Sequence, residues 1–200
     1  MTAHPIEEES YRILGTRLDL SHRAPGERAV IERIVHASAD LGLGTSTVVT
    51  EDSVRRGAEA LARGAAVVVD VEMVRAGIGG YPTVCHLRSA EAGPGGFPTR
   101  TAMGIRAAAA QHPEGAVWVV GCAPTALSEI LELVRSGALH PALVIGLPVG
   151  FVGAAEAKAA TRELAHRTGL AAITNVGEKG GSAVAAAAFN AILRISRLGT

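Results

Sequence analysis

The sequence predicts an α/β protein: a three-layer sandwich with about five parallel strands between helices, preceded by a helical N-terminal segment. Three observations predict it. Short, continuous apolar runs, several rich in β-branched residues, recur along the chain at 66–71, 116–121 and 143–147. Runs without polar alternation are buried on both faces, as parallel strands beneath helices must be. Stretches of helical length and periodicity separate them, and turns bearing glycine or proline close them.

The elements follow in order. A first helix spans 5–16, with Pro5 in its first turn and Glu7, Glu8 and Glu9 at the positive end of its dipole. Pro25 opens a second helix whose apolar stripe is Val30, Ile31, Ile34 and Val35. Gly42 and Gly44 are expected to stop it. A helix over 52–63 leads into the strand at 66–71, and 83–87 reads as a second strand. The Gly/Pro loop 92–98 precedes an alanine-rich helix over 99–111. Strand 116–121 and helix 125–136 follow, then strand 143–147 and helix 154–168. Strand 171–174 and a last helix over 182–197, alanine-rich for tight packing, complete the pattern.

Composition narrows the function. Two hundred residues fit one domain, here the whole of 1–200, which buries roughly 70% of its unfolded surface. Nineteen basic and nineteen acidic residues cancel, which argues against nucleic acid as a partner. The apolar runs are too short to span a bilayer, and the acidic N-terminus does not read as a secretion signal. Cys85 and Cys122, the two cysteines, read as free thiols in a reducing cytoplasm. The seven histidines show no metal-ligand spacing, so no metal site is expected.

Two groups of residues stand out as candidates. Arg33 and His36 project from one face at the end of the second helix, and histidine exchanges protons near neutral pH. The second group lies where such sheets bind ligands, beyond the carboxyl ends of the strands. It comprises Asp70, Thr125 and the Gly180-Gly181-Ser182 turn. Arg100, opening its helix, offers a planar fork for a carboxylate. No Walker loop, G-x-G-x-x-G fingerprint or nucleophile elbow occurs.

Together these residues resemble the precorrin-8X methylmutase family of cobalamin biosynthesis. The resemblance rests on Glu9-Ser10-Tyr11, Arg33-Ile34-Val35-His36-Ala37, Asp70-Val71-Glu72-Met73-Val74 and Thr99-Arg100-Thr101-Ala102. It rests further on Ala123-Pro124-Thr125-Ala126-Leu127, Gly180-Gly181-Ser182 and the long, specific string from Pro148-Val149-Gly150-Phe151-Val152 through Gly153-Ala154-Ala155-Glu156. It implies a flavodoxin-like, doubly wound sheet and a homodimer with active sites at the subunit interface. The implied reaction moves a methyl group from C-11 to C-12 of precorrin-8X or cobalt-precorrin-8, with no external methyl donor and no cofactor. His36 takes the place of the catalytic histidine, while Ser10, Arg33 and Arg100 match substrate-contacting positions. Cys122 and Glu178 depart from the family's pattern, which has asparagine at the first and often a basic residue at the second. A corrinoid carrier using the same pocket, or an α/β interaction module, are the alternatives.

Overall fold

The computed structural model describes residues 4–198. Met1 to Ala3, the start of the acidic N-terminus, and residues 199–200 lie outside them. Helices α1 (Pro5–Arg17), α2 (Pro25–Ser38) and α3 (Leu41–Ser46) precede the two-residue strand β1 (Thr47–Val48). Then come α4 (Glu51–Ala62), β2 (Val67–Val69), α5 (Glu72–Gly77), α6 (Arg100–Gln111) and β3 (Val117–Val120). The chain closes with α7 (Pro124–Arg135), β4 (Leu143–Gly146), α8 (Ala154–Thr168), β5 (Ala172–Asn175) and α9 (Ser182–Leu198).

The strands form one five-stranded sheet in the order β1-β5-β4-β3-β2. Alternate residues of each strand point to opposite faces. Val67, Val69, Val117, Val119, Leu143 and Ile145 belong to the core shared with α2, α4, α5 and α9. Val68, Trp118, Val120 and Val144 belong to the core under α6, α7 and α8. The three layers follow directly. Helix α9 explains its own composition: Ala185, Ala186 and Ala188 are buried, and small side chains let neighbouring elements approach closely. A Cβ on Gly77 would stand 2.7 Å from the Ala186 side chain.

Two expectations about the sheet need correction. The fifth strand is β1, and it pairs antiparallel with β5, Thr47 opposite Asn175. Two residues carry no periodicity, so this strand had no sequence signature. The run 83–87 is not a strand; it meets the sheet at one residue, Val84, on the edge of β2 away from β3. The Val84 N–H donates to Val67 O at 2.8 Å and its carbonyl accepts from Val69 N at 2.9 Å. The ladder ends there because the next residues turn: the Ser89 and Ala90 N–H groups both donate to His86 O.

Gly42 and Gly44 also do otherwise than expected. Helix α2 ends at Ala39, which adopts the left-handed conformation (φ 52°). Asp40 then caps α3 through the Gly42 N–H at 2.9 Å. Gly44 is there for room: a Cβ would collide with Leu18. The start of α2 has no side-chain cap of its own. Glu51 of α4 supplies one, accepting from Gly26 N at 2.9 Å and Glu27 N at 3.1 Å, which satisfies orphan donors and fixes α2.

Candidate active site

His36 sits in the last turn of α2, half-buried against α1. Its Nδ1 lies 2.8 Å from Ser10 Oγ. The Tyr11 ring stacks on the imidazole, centroids 5.0 Å apart and planes 19° from parallel. One turn earlier, Arg33 Nη1 donates to Glu7 Oε1 at 2.7 Å and reaches Tyr11 Oη at 3.5 Å. Both bridges, Glu7–Arg33 and Ser10–His36, join residues 26 apart, so α1 and α2 run side by side in the same direction.

The imidazole is thus held on one face and one nitrogen. Among the described residues nothing bonds to Nε2, the nitrogen left for an incoming molecule. His36 lines a hollow of about 160 Å³ together with Ser10, Leu14, Val35 and Leu41. A larger groove of about 400 Å³ lies beside Arg33, with Tyr11, Ala191 and Arg194 in its walls. Tyr11 and Glu7 are the residues of this corner that sequence reasoning did not name as site residues. Their pairing spans two helices and leaves no local signal.

The second group sits at the carboxyl ends of the strands. Asp70, 2% exposed, follows β2. Its carboxylate accepts from the N–H groups of Gly121 at 3.1 Å, Cys122 at 2.9 Å and Ala123 at 2.9 Å. Burial pushes this carboxyl above the usual range, and the three N–H donors pull it back. In this geometry Asp70 holds the turn before α7 and offers no surface of its own. Thr125, in that helix's first turn, shares a hydroxyl cluster with Thr99 at 2.7 Å and Thr101 at 3.3 Å. Ser182 packs against this turn: a Cβ on Gly121 would stand 2.8 Å from its Cα. A Cβ on Gly180 would collide with the Leu147 and Pro148 carbonyls, so only glycine fits. The Gly181 N–H donates to Leu147 O at 2.9 Å.

Arg100 does not join either group. It is exposed, and it donates to the backbone carbonyls of Leu87 at 2.9 Å and Ala90 at 3.3 Å. Cys85 and Cys122 are free, and burial raises both thiols. One tie joins the two groups: Lys179 Nζ, next to Gly180, meets Asp40 Oδ2 at 2.7 Å, four residues beyond His36. Among the described residues no cluster of three or more His, Cys, Asp or Glu could hold a metal ion. No helix among them is long and apolar enough to cross a membrane.

A family model described as precorrin-8X methylmutase matches residues 5–195. The chain belongs to that family. Its members are isomerases of cobalamin biosynthesis, which move a methyl group within one molecule. A cobalt-precorrin-8 methylmutase from Methanothermobacter thermautotrophicus is 41% identical over 184 residues, 90% of this chain and 85% of the relative. A precorrin-8X methylmutase from Sinorhizobium sp is 36% identical over 198 residues, 94% of this chain and 93% of the relative. The crystal structure of a precorrin-8X methylmutase from Thermus thermophilus superposes with a TM-score of 0.85 at 33% identity, covering 97% of this chain and 96% of the other. As a methylmutase fold, the architecture puts the histidine corner on the helical layer and the glycine-rich turns on the sheet rim.

Proposed function

We propose that this protein is a precorrin-8X methylmutase whose single domain carries a methyl group from C-11 to C-12 of the macrocycle, with His36 as the acid. The observation that carries the reading is the imidazole itself. It is bound through Nδ1 to Ser10 and stacked on Tyr11, with Nε2 unbonded and the residue in the wall of a hollow, in a chain of this family. The bond from the methyl to C-11 breaks as the bond to C-12 forms, and the displaced electron pair shifts through the ring toward a nitrogen. A proton shared from the imidazole toward that nitrogen stabilises the charge that develops in the transition state, and it returns to the imidazole as the new bond is completed. Ser10 supports the reaction by fixing the orientation of the ring that donates. No atom enters or leaves the product.

The substrate is a flat apolar ring fringed with carboxylates, metal-free or cobalt-loaded. Arg33 is the cation beside His36 suited to such a fringe. A hollow of about 160 Å³ is far below the size of a macrocycle site, for which several hundred Å³ is usual. A second wall is needed, and we read it as a second copy of the chain. Phe151 and Val152, each 89% exposed in the turn after β4, support a homodimer. The Val84 bridge supports the doubly wound, flavodoxin-like reading, because it puts a reversal of strand order beside β2. Free Cys85 and Cys122 support a cytoplasmic setting.

The test is incubation with precorrin-8X and with cobalt-precorrin-8, following the absorbance spectrum for the rearranged corrin. Wild-type protein is expected to convert one or both. His36→Ala is expected to bind without converting; turnover by that variant would remove His36 from the role.

A further inference from the structure

Lys158 is the least exposed charged side chain of the described residues, at 0% exposure, and nothing said so far uses it. It lies on the inward stripe of α8, with Ala154, Ala157, Thr161 and Leu164. No carboxylate meets its ammonium. Nζ instead donates to Lys179 O at 2.6 Å and Asn175 Oδ1 at 3.0 Å. Asn175, also 0% exposed, folds its amide back to the same Lys179 carbonyl at 2.9 Å. Arg162, one turn along α8, donates to Asn175 O at 2.9 Å. All these bonds converge on residues 175–179, the turn that delivers Gly180, Gly181 and Ser182.

That turn is tied at its other side too. Lys179 Nζ holds Asp40, and Glu178 O accepts from Gly150 N at 3.1 Å. A turn needed only for chain reversal would not require a buried ammonium bonded only to neutral oxygens, because burying one is costly. We propose that Lys158 is a positioning residue: from beneath the β5–α9 turn it fixes Gly180–Gly181–Ser182 and, through Lys179 and Asp40, sets their distance from the helix end that carries His36. This role rests on the reaction proposed above.

Lys158→Met, which keeps the length and apolar stem but removes the donor, tests it. The variant is expected to raise the KM for precorrin-8X about tenfold or more while kcat stays within about threefold. Amide exchange at residues 176–182 should accelerate about tenfold while that of β3 and β4 holds. Asp40→Asn, which loosens the other anchor, should raise KM as well, and the double variant should be less impaired than the product of the singles. If Lys158→Met does not fold, Lys158→Leu, which also lacks a donor, carries the same comparison, and Lys158→Gln, which retains a donor amide, should be milder. An unchanged KM beside faster exchange would overturn the proposal, as would unchanged exchange. Failure of wild-type protein to convert either precorrin-8X or cobalt-precorrin-8 would strike the reaction itself, and this role with it.

Discussion

Ser10 Oγ and His36 Nδ1 lie 2.8 Å apart, and one turn earlier Glu7 and Arg33 close a second bridge with the same spacing. Two parallel helices are registered by these contacts, and the register decides which imidazole nitrogen is left available. Ser10→Ala removes the hydrogen bond but leaves the Tyr11 stack. It is expected to lower kcat about 10-fold with little change in KM, measured by steady-state conversion of precorrin-8X. An equal fall in binding would mean that Ser10 contacts substrate instead.

Arg33 and Arg100 should behave differently. Arg33→Ala is expected to weaken substrate binding by about 1–3 kcal/mol, read by absorbance titration. Arg100 holds two backbone carbonyls of the 87–90 turn. Arg100→Ala is therefore expected to cost about 1 kcal/mol of stability in denaturant unfolding, whatever it does to binding.

Asp70→Ala would leave three backbone N–H groups without their acceptor. A loss of about 3 kcal/mol is expected, with Asp70→Asn less severe because the amide keeps one oxygen. Urea unfolding separates the two variants.

Ala39 is the one non-glycine residue with positive φ among the described residues. An L side chain there costs roughly 1 kcal/mol, and glycine is the usual residue at such a helix end. Ala39→Gly should raise stability by up to about that amount, seen as a higher Tm.

Lys158 links stability to pH. Burial, with Arg162 nearby, brings its ammonium down to about 8, while Glu178 opposes the shift. Between that value and the ordinary lysine range the unfolded chain holds a proton that the folded chain has released, so stability rises with pH. The gain is complete above the unfolded value and is lost as pH falls through about 8. Unfolding free energies from pH 7 to 10 should show this rise in wild-type protein relative to Lys158→Met; parallel curves would contradict it.

Much of this was legible in order along the chain. Four of the five strands, the main helices and the His36 helix end follow from apolar runs and periodicity, because backbone geometry ties those patterns to burial over a few residues. Family-specific strings such as the one beginning Pro148-Val149-Gly150 carried the family. Lys158 was partly legible: its spacing from Ala154 and Thr161 puts it on the same face of its helix as those two buried residues.

The residues alone therefore determined the layers, the parallel run of four strands and the family, and they singled out His36 as the candidate to test. The tertiary structure decided the rest: β1 antiparallel to β5, the reduction of 83–87 to the Val84 bridge, and the partners of His36, Asp70, Arg100 and Lys158. The physical reason is separation along the chain. A hydrogen bond between residues 26 or 51 positions apart leaves no periodic trace, since it exists only after packing has brought the two elements together.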